Sequence, residues 1–327
     1  MVRSFAFTTK GALHSKDIEL FLMPTLLSDT KLFLWVDLED PTPQETDFLL
    51  KNIFHFHPLS IEDSVTESPL PKVEEYLPKE KDEFSPYLFM VIHAVDYSRK
   101  DGVFATSELS FYLGKNFLVT FHSKPLRPVE LAGEMCLRNT ADIATEPDRV
   151  AHTLLDLIVE NYKPALDELA MEVAEVEQRA LEDPGTETLN TILQIKKEVL
   201  QLRQIIGPQK EVLGRFVRGE FKLVRSHLIP YYRDVYDGLY NIGELAARYA
   251  ESLTGVLQVY LNMSSNKTGE IVKLLTVFTV ITTPIMLVGT WYGMNFDDMP
   301  ETGSGKTGYL VALAVTGLST LATIVYF

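Results

Sequence analysis

The chain has 327 residues, with 45 Asp and Glu against 30 Lys and Arg, for a formal net charge of −15. That length supports roughly one large domain or two to three small ones, and the acidic balance argues against nucleic acid as a partner and suits a soluble part that handles cations or a surface that simply stays solvated. A single cysteine, Cys136, excludes internal disulfides and fits a reducing compartment.

The first residues, Met1–Lys16, contain no apolar core of the ~7–15 residues that a signal peptide needs. Residues 1–150 read as an α/β domain. Its β-rich runs are Leu32–Leu38, Tyr87–Val95, Leu109–Gly114 and Asn116–His122, with turn signals at Arg99–Gly102 and Gly114–Asn116. Pro41–Phe54 and the tract after Pro128 look helical, and the prolines crowded from Pro58 to Pro86 suggest a loop-rich edge. His55 and His57 have no Cys or third His at a metal-binding spacing, so they read as surface or core histidines.

Residues 151–228 read as an antiparallel helical hairpin. Leu166, Leu169, Val173, Val176 and Ala180 keep an alternating three-four spacing, as do Ile192, Ile195, Val199, Leu202 and Ile206. Asp183-Pro184-Gly185 breaks the pattern between them. A third helix starts near Ile229-Pro230 and meets no strong breaker before Gly293. Such a helix of roughly 60 residues would be about 90 Å long, too long for a globular core but suited to a stalk (229–273) that continues into a membrane.

Two runs are long enough to span a bilayer, which takes ~20 apolar residues. Residues 274–292 and 309–327 carry no charge. Lys267 and Lys273 precede the first span, whereas the loop 293–308 carries Asp297, Asp298 and Glu301 against Lys306. The positive-inside rule then places the N-terminal part in the cytoplasm and the loop outside a cell inner (cytoplasmic) membrane. Gly303-Ser304-Gly305-Lys306-Thr307 imitates a phosphate-binding loop. The first glycine of that motif is replaced by Pro300, however, and no strand leads in, so the segment reads as a flexible return without a nucleotide.

Thr276, Thr279, Thr283 and Thr290 recur at spacings of three, four and seven, and fall within about 60° of one another on a helix wheel. Met286, Val272 and Leu275 extend this face. The ordinary reading is that membrane threonines bond the carbonyl four residues back or pack on a neighbour. The alternative is a pore-lining stripe that points down the stalk and ends at Asn295. One helix cannot enclose a pore, so that reading requires several copies around an axis. Pro284 frees a backbone carbonyl in mid-span, which is tolerable where it faces protein or water.

Gly293-Met294-Asn295, followed by Phe296 and Met299-Pro300-Glu301 between two apolar spans, resembles the CorA family of magnesium channels. Trp35-Val36-Asp37-Leu38 with Pro41, His57-Pro58-Leu59 with Glu62-Asp63, Pro71-Lys72-Val73 and Pro230–Asp237 extend the resemblance over nearly the whole chain. It implies an α+β membrane protein assembled as a funnel-shaped homopentamer in the lipid bilayer, with Gly293, Met294 and Asn295 as selectivity filter. Mg²⁺ releases its waters reluctantly, so a ring of neutral Asn295 amides can accept hydrogen bonds from those waters without stripping them. Asp297 and Glu301 would concentrate cations at the external mouth.

The resemblance also places gating at Val272, Leu275, Thr279, Thr283 and Met286, and cytoplasmic Mg²⁺ sensing at Asp96 and Asp234. The chain departs from the family at Thr283, where a methionine is common, and at Gly269, where an asparagine is. No nucleophile–base pair suggests an enzyme. A membrane potential gives a divalent ion about 4.6 kcal/mol per 100 mV, enough for passive accumulation of roughly three orders of magnitude. The expected function is therefore a gated uptake channel for Mg²⁺, with Co²⁺ or Ni²⁺ as further cargo. A Zn²⁺ transporter of the same superfamily and a membrane-anchored scaffold stand as alternatives.

Overall fold

The computed structural model describes residues 1–66, 68, 70–79, 84–95, 106–294 and 305–326. They form two compact units, Met1–Gln178 with Glu187–Val256 and Arg179–Thr186 with Leu257–Phe327.

The first unit is built on a seven-stranded sheet: β1 (Val2–Thr8), β2 (Ala12–Lys16), β3 (Leu32–Glu39), β4 (Lys72–Tyr76), β5 (Tyr87–Val95), β6 (Thr106–Gly114) and β7 (Phe117–His122). The order across it is β2-β1-β3-β7-β6-β5-β4. Only β3 and β7 run parallel, in register from Leu34 opposite Phe117 to Glu39 opposite His122. Strands β3, β5, β6 and β7 are buried along almost their whole length. Helices cover both faces of the sheet, so these strands read as continuous apolar runs and not as alternating ones.

On one face, Leu34, Val36, Phe89, Val91, Tyr112 and Val119 pack with Leu49, Leu50, Phe54 and Ile61. The last four come from the segment between β3 and β4. There α1 (Met23–Ser28) has preceded β3, and α2 (Pro43–Thr46) opens with a capping box between Thr42 and Glu45. Asp47–Ile53 then widens into π-helical turns before α3 (Pro58–Val65). The proline-rich stretch after residue 58 thus holds a helix and β4, which is an edge strand.

The other face is covered by α6 (Pro147–Glu160), which runs through residue 150 and packs on β3, β5, β6 and β7. It follows α4 (Arg127–Arg138) and the single turn α5 (Thr140–Ile143). Trp35, Asp37, Thr120 and His122 are buried in this layer. Asp37 accepts hydrogen bonds from the Arg3 guanidinium (2.7 Å) and the Thr120 hydroxyl (2.6 Å), and contacts His122 Nε2 at 3.2 Å. Trp35 Nε1 in turn donates to the Thr120 hydroxyl oxygen at 3.2 Å.

α7 (Tyr162–Glu182) and α8 (Thr186–Val217) flank Asp183-Pro184-Gly185. The residues of both three-four seams, from Leu166 to Ala180 and from Ile192 to Ile206, are buried. Next comes α9 (Ile229–Tyr292), one helix of 64 residues, and then α10 (Lys306–Tyr326). Two glycines that weaken the α9 helical pattern are sites of close packing. A Cβ on Gly238 would lie 3.3 Å from Val159, and one on Gly243 would lie 3.2 Å from Ile206. The first turn of α9 is tied to α6 through Asp148, which is 1% exposed. Its carboxylate accepts the Arg225 amide at 3.0 Å and pairs with the Arg225 guanidinium, while Tyr232 donates to its carbonyl at 2.7 Å.

Candidate functional site

Among the described residues, α9, which enters the second unit at Leu257, and α10 are the two helices long and apolar enough to cross a membrane. The partly buried residues of α10 are small or carry hydroxyls: Gly308, Ala312, Thr316, Ser319, Thr320 and Thr323. Small residues let helix backbones approach closely in lipid. The facing side of α9 has Pro284 buried and Val280, Ile281, Thr282 and Val288 partly buried. Residues of both helices line two clefts of about 510 and 480 Å³, the first beside Pro284 and the second between Tyr292 and Tyr309.

The threonine stripe lies on the remaining side of α9. At 100° per residue its centre falls roughly 115° from the centre of the buried and partly buried residues, which include Thr276. Val272, Leu275 and Met286 on that face are 55%, 62% and 67% exposed. Thr279 and Thr283 form its border, since they also line the cleft beside Pro284. Every stripe hydroxyl donates its proton within the helix: Thr276 to Val272 O (2.7 Å), Thr279 to Leu275 O (2.8 Å), Thr283 to Thr279 O (2.6 Å) and Thr290 to Met286 O (2.6 Å). A hydroxyl has one proton and two lone pairs. What these side chains offer outward is therefore acceptor oxygen. Pro284 has no N–H to return to the Val280 carbonyl, so the ladder of backbone bonds has a gap in the same turn.

At the top of α9, Gly293 N–H is shared between Gly289 O (3.1 Å) and Thr290 O (3.2 Å), and Met294 N reaches Trp291 O at 3.4 Å. Gly293 does not take a left-handed conformation. A Cβ there would lie 3.1 Å from the Gly289 carbonyl, a tight approach that the helix end would have to ease. Asn295, Asp297 and Glu301 lie outside the described residues, as does Asp96.

Asp234 stands exposed on the second turn of α9. It interacts electrostatically with Asp156 on α6, whose carboxyl is pushed up by burial first, then by Glu160 and Asp234. His152, one turn before Asp156, packs its ring edge-on against Tyr231 and Tyr232. Burial lowers its pKa, and the nearby Arg149 adds to this. Asp156 and Glu160 were not singled out by the sequence. Their spacing of four puts them on one helix face, but the third acid is 74 residues away from Glu160 in the chain (234 minus 160). Asn161 donates its side-chain amide to Val95 O at 2.8 Å, so the end of β5 is bonded beside Glu160. No group of three or more metal-ligating side chains occurs among the described residues.

The profile of the CorA-like Mg²⁺ transporter protein family matches residues 30–327. The cobalt/magnesium transport protein CorA of Thermotoga maritima is 30% identical over 332 residues, covering 96% of this chain and 92% of that protein. The putative metal ion transporter YfjQ of Bacillus subtilis is 27% identical, over 90% of this chain and 88% of its own length. Among solved structures, the complete CorA magnesium transporter of Methanocaldococcus jannaschii superimposes with a TM-score of 0.79 at 21% identity, covering 99% of this chain and 96% of that one.

Proposed function

The chain belongs to the CorA family of divalent-cation transporters, and from that premise we propose that it is a passive, gated Mg²⁺ uptake channel. The observation that carries the proposal is the α9 stripe: an apolar and hydroxyl-lined face, exposed at Val272, Leu275, Met286 and Thr290 and bordered on the α10 side by Thr279 and Thr283. Arranged around an axis as a homopentamer, these faces would enclose a conduit, with α10 toward lipid and the N-terminal unit on the cytoplasmic side of the inner membrane.

The hydroxyl geometry suits the cargo. A hydrated Mg²⁺ ion turns the hydrogens of its waters outward, and the ion keeps most of those waters when bound. Thr276, Thr279, Thr283 and Thr290 have spent their protons on carbonyls, so their lone pairs can accept those hydrogens. A hydrated anion presents the opposite polarity and finds no donors there. Above this ladder, Gly293, Met294 and Asn295 would form the filter, with Asp297 and Glu301 steering cations to it. Below it, Val272 and Leu275 would close the path by dewetting.

Asp234 and Asp96 would hold regulatory Mg²⁺ between neighbouring protomers, and Asp156 adds a further carboxylate on the Asp234 side. A bound ion would offset their mutual repulsion and favour the closed assembly. Membrane potential alone suffices to drive Mg²⁺ inward, so transport requires no nucleotide. Co²⁺ and Ni²⁺ are expected as further cargo.

The hydroxyl ladder is tested by Thr276→Val together with Thr290→Val, neither of which lines the α9–α10 clefts. Mg²⁺ influx into proteoliposomes should fall roughly tenfold, which corresponds to 1.4 kcal/mol on the barrier, and the Thr→Ser pair should conduct like the parent. A valine pair that conducts as well as the parent removes the ladder from the account.

A further inference from the structure

At one end of the sheet, the β1–β2 turn, the end of α1 and the start of β3 enclose an open cleft of about 780 Å³. Lys10, His14 and Lys31 line it together with the hydroxyl residues Thr8, Thr9, Thr25 and Ser28. Asp29 is the one carboxylate among its lining residues, and its Oδ1 already accepts the Lys31 amide at 2.9 Å. Neither Lys10 nor Lys31 forms an ion pair among the described residues. In a chain with net charge −15, a cleft that gathers basic side chains is a local reversal of sign.

The frame that carries these groups is tied down by main-chain bonds. Thr9 N donates to Lys31 O at 3.0 Å, Gly11 N to Thr8 O at 2.9 Å and Leu32 N to Asp29 O at 3.1 Å. Gly11 takes φ 73° and is wedged against α5, where a Cβ would meet Ala141 Cα at 2.5 Å. No other residue fits that turn, so the backbone bearing Lys10 is held beside the backbone bearing Lys31. Two lysines carried on backbone segments bonded to each other can bring their ammonium groups to one anion that enters between them. Lysines and hydroxyls together are donors to tetrahedral oxyanions, and the cleft volume is that of a small-molecule site.

We propose that this cleft binds a phosphate group carried by a small molecule, with Lys10 and Lys31 as its charge partners and the Thr9 and Thr25 hydroxyls as further donors. The phosphate would come from a soluble metabolite or from a lipid headgroup, and the test separates the two. Binding to the full chain in detergent is measured by titration with ATP, with inorganic phosphate and with micelles containing short-chain phosphatidic acid. Saturable binding of at least one probe is expected. It should weaken tenfold or more in Lys10→Gln/Lys31→Gln and with rising salt, but persist in Lys197→Gln/Lys222→Gln, which removes the same charge elsewhere. ATP or inorganic phosphate as the binding probe identifies a soluble ligand; phosphatidic acid alone identifies the headgroup. The proposal is overturned if none of the probes binds, if the Lys10/Lys31 variant binds undiminished, or if the control pair loses binding equally.

Discussion

With the gate proposed at Val272 and Leu275, replacing both by serine should keep Mg²⁺ influx running at internal Mg²⁺ concentrations expected to close the parent protein. Both side chains are more than half exposed on the α9 stripe, at 55% and 62%. They lie just below the first hydroxyl of the ladder, and they give the carbonyls to which Thr276 and Thr279 donate. Rings of such side chains around an axis would exclude water from a narrow conduit, and a hydrated divalent ion cannot cross a dry gap. Serine adds a hydroxyl and removes most of the apolar volume, so the gap would fill with water. Influx measured with Mg²⁺ already inside the vesicle should rise tenfold or more, equivalent to at least about 1.4 kcal/mol. A double variant that still closes like the parent would place the gate elsewhere on the chain.

The second large effect concerns stability. Asp37→Ala should destabilise the first unit by about 3–5 kcal/mol, the usual cost of leaving a buried partner charge uncompensated. Side-chain exposure is 1% for Asp37 and 0% for His122. By contrast, removing the exposed Lys51–Asp47 pair should cost at most about 1 kcal/mol.

The pH dependence follows from the same pair. Burial alone would raise Asp37, but the contacts from His122, Thr120 and Arg3 outweigh it and hold the carboxyl below its ordinary 3.8. Its stabilisation is complete above that value and is lost as pH falls through the lower, folded value. Burial would lower His122, but Asp37 and the Lys124 carbonyl hold it above its ordinary 6.5. Its stabilisation is complete below 6.5 and fades as pH rises through the raised, folded value. Thermal unfolding should therefore show a plateau between these limits, and Asp37→Asn should flatten both shoulders. Unchanged shoulders in that variant would assign the pH dependence to other groups.

The parts of this molecule that could be read from sequence are those whose partners are near in the chain or whose burial is complete. β5 and β7 announce themselves because helices cover both faces and almost every side chain is apolar. β2 buries no residue and β4 buries only Val73, so neither carries a periodic signal. Their existence depends on pairing with β1 and β5. Glycine lowers helix propensity, yet at Gly238 and Gly243 it leaves room for Val159 of α6 and Ile206 of α8. The stripe was legible because helix period alone aligns its threonines. Which side α10 would occupy was not, since that depends on how the small residues of α10 meet the turn around Pro284. Asp156 escaped notice for a related reason: its acidic partner lies on α9, brought close only when Arg225 and Tyr232 fasten that helix to Asp148.

Mg²⁺ uptake into proteoliposomes under an inside-negative potential, without nucleotide, tests the central claim most directly. The parent chain should take up Mg²⁺, Asn295→Ala should lose most of that flux, and Lys306→Ala should retain it. Parent vesicles that admit no divalent cation, or an Asn295→Ala variant that conducts as the parent does, would contradict the account.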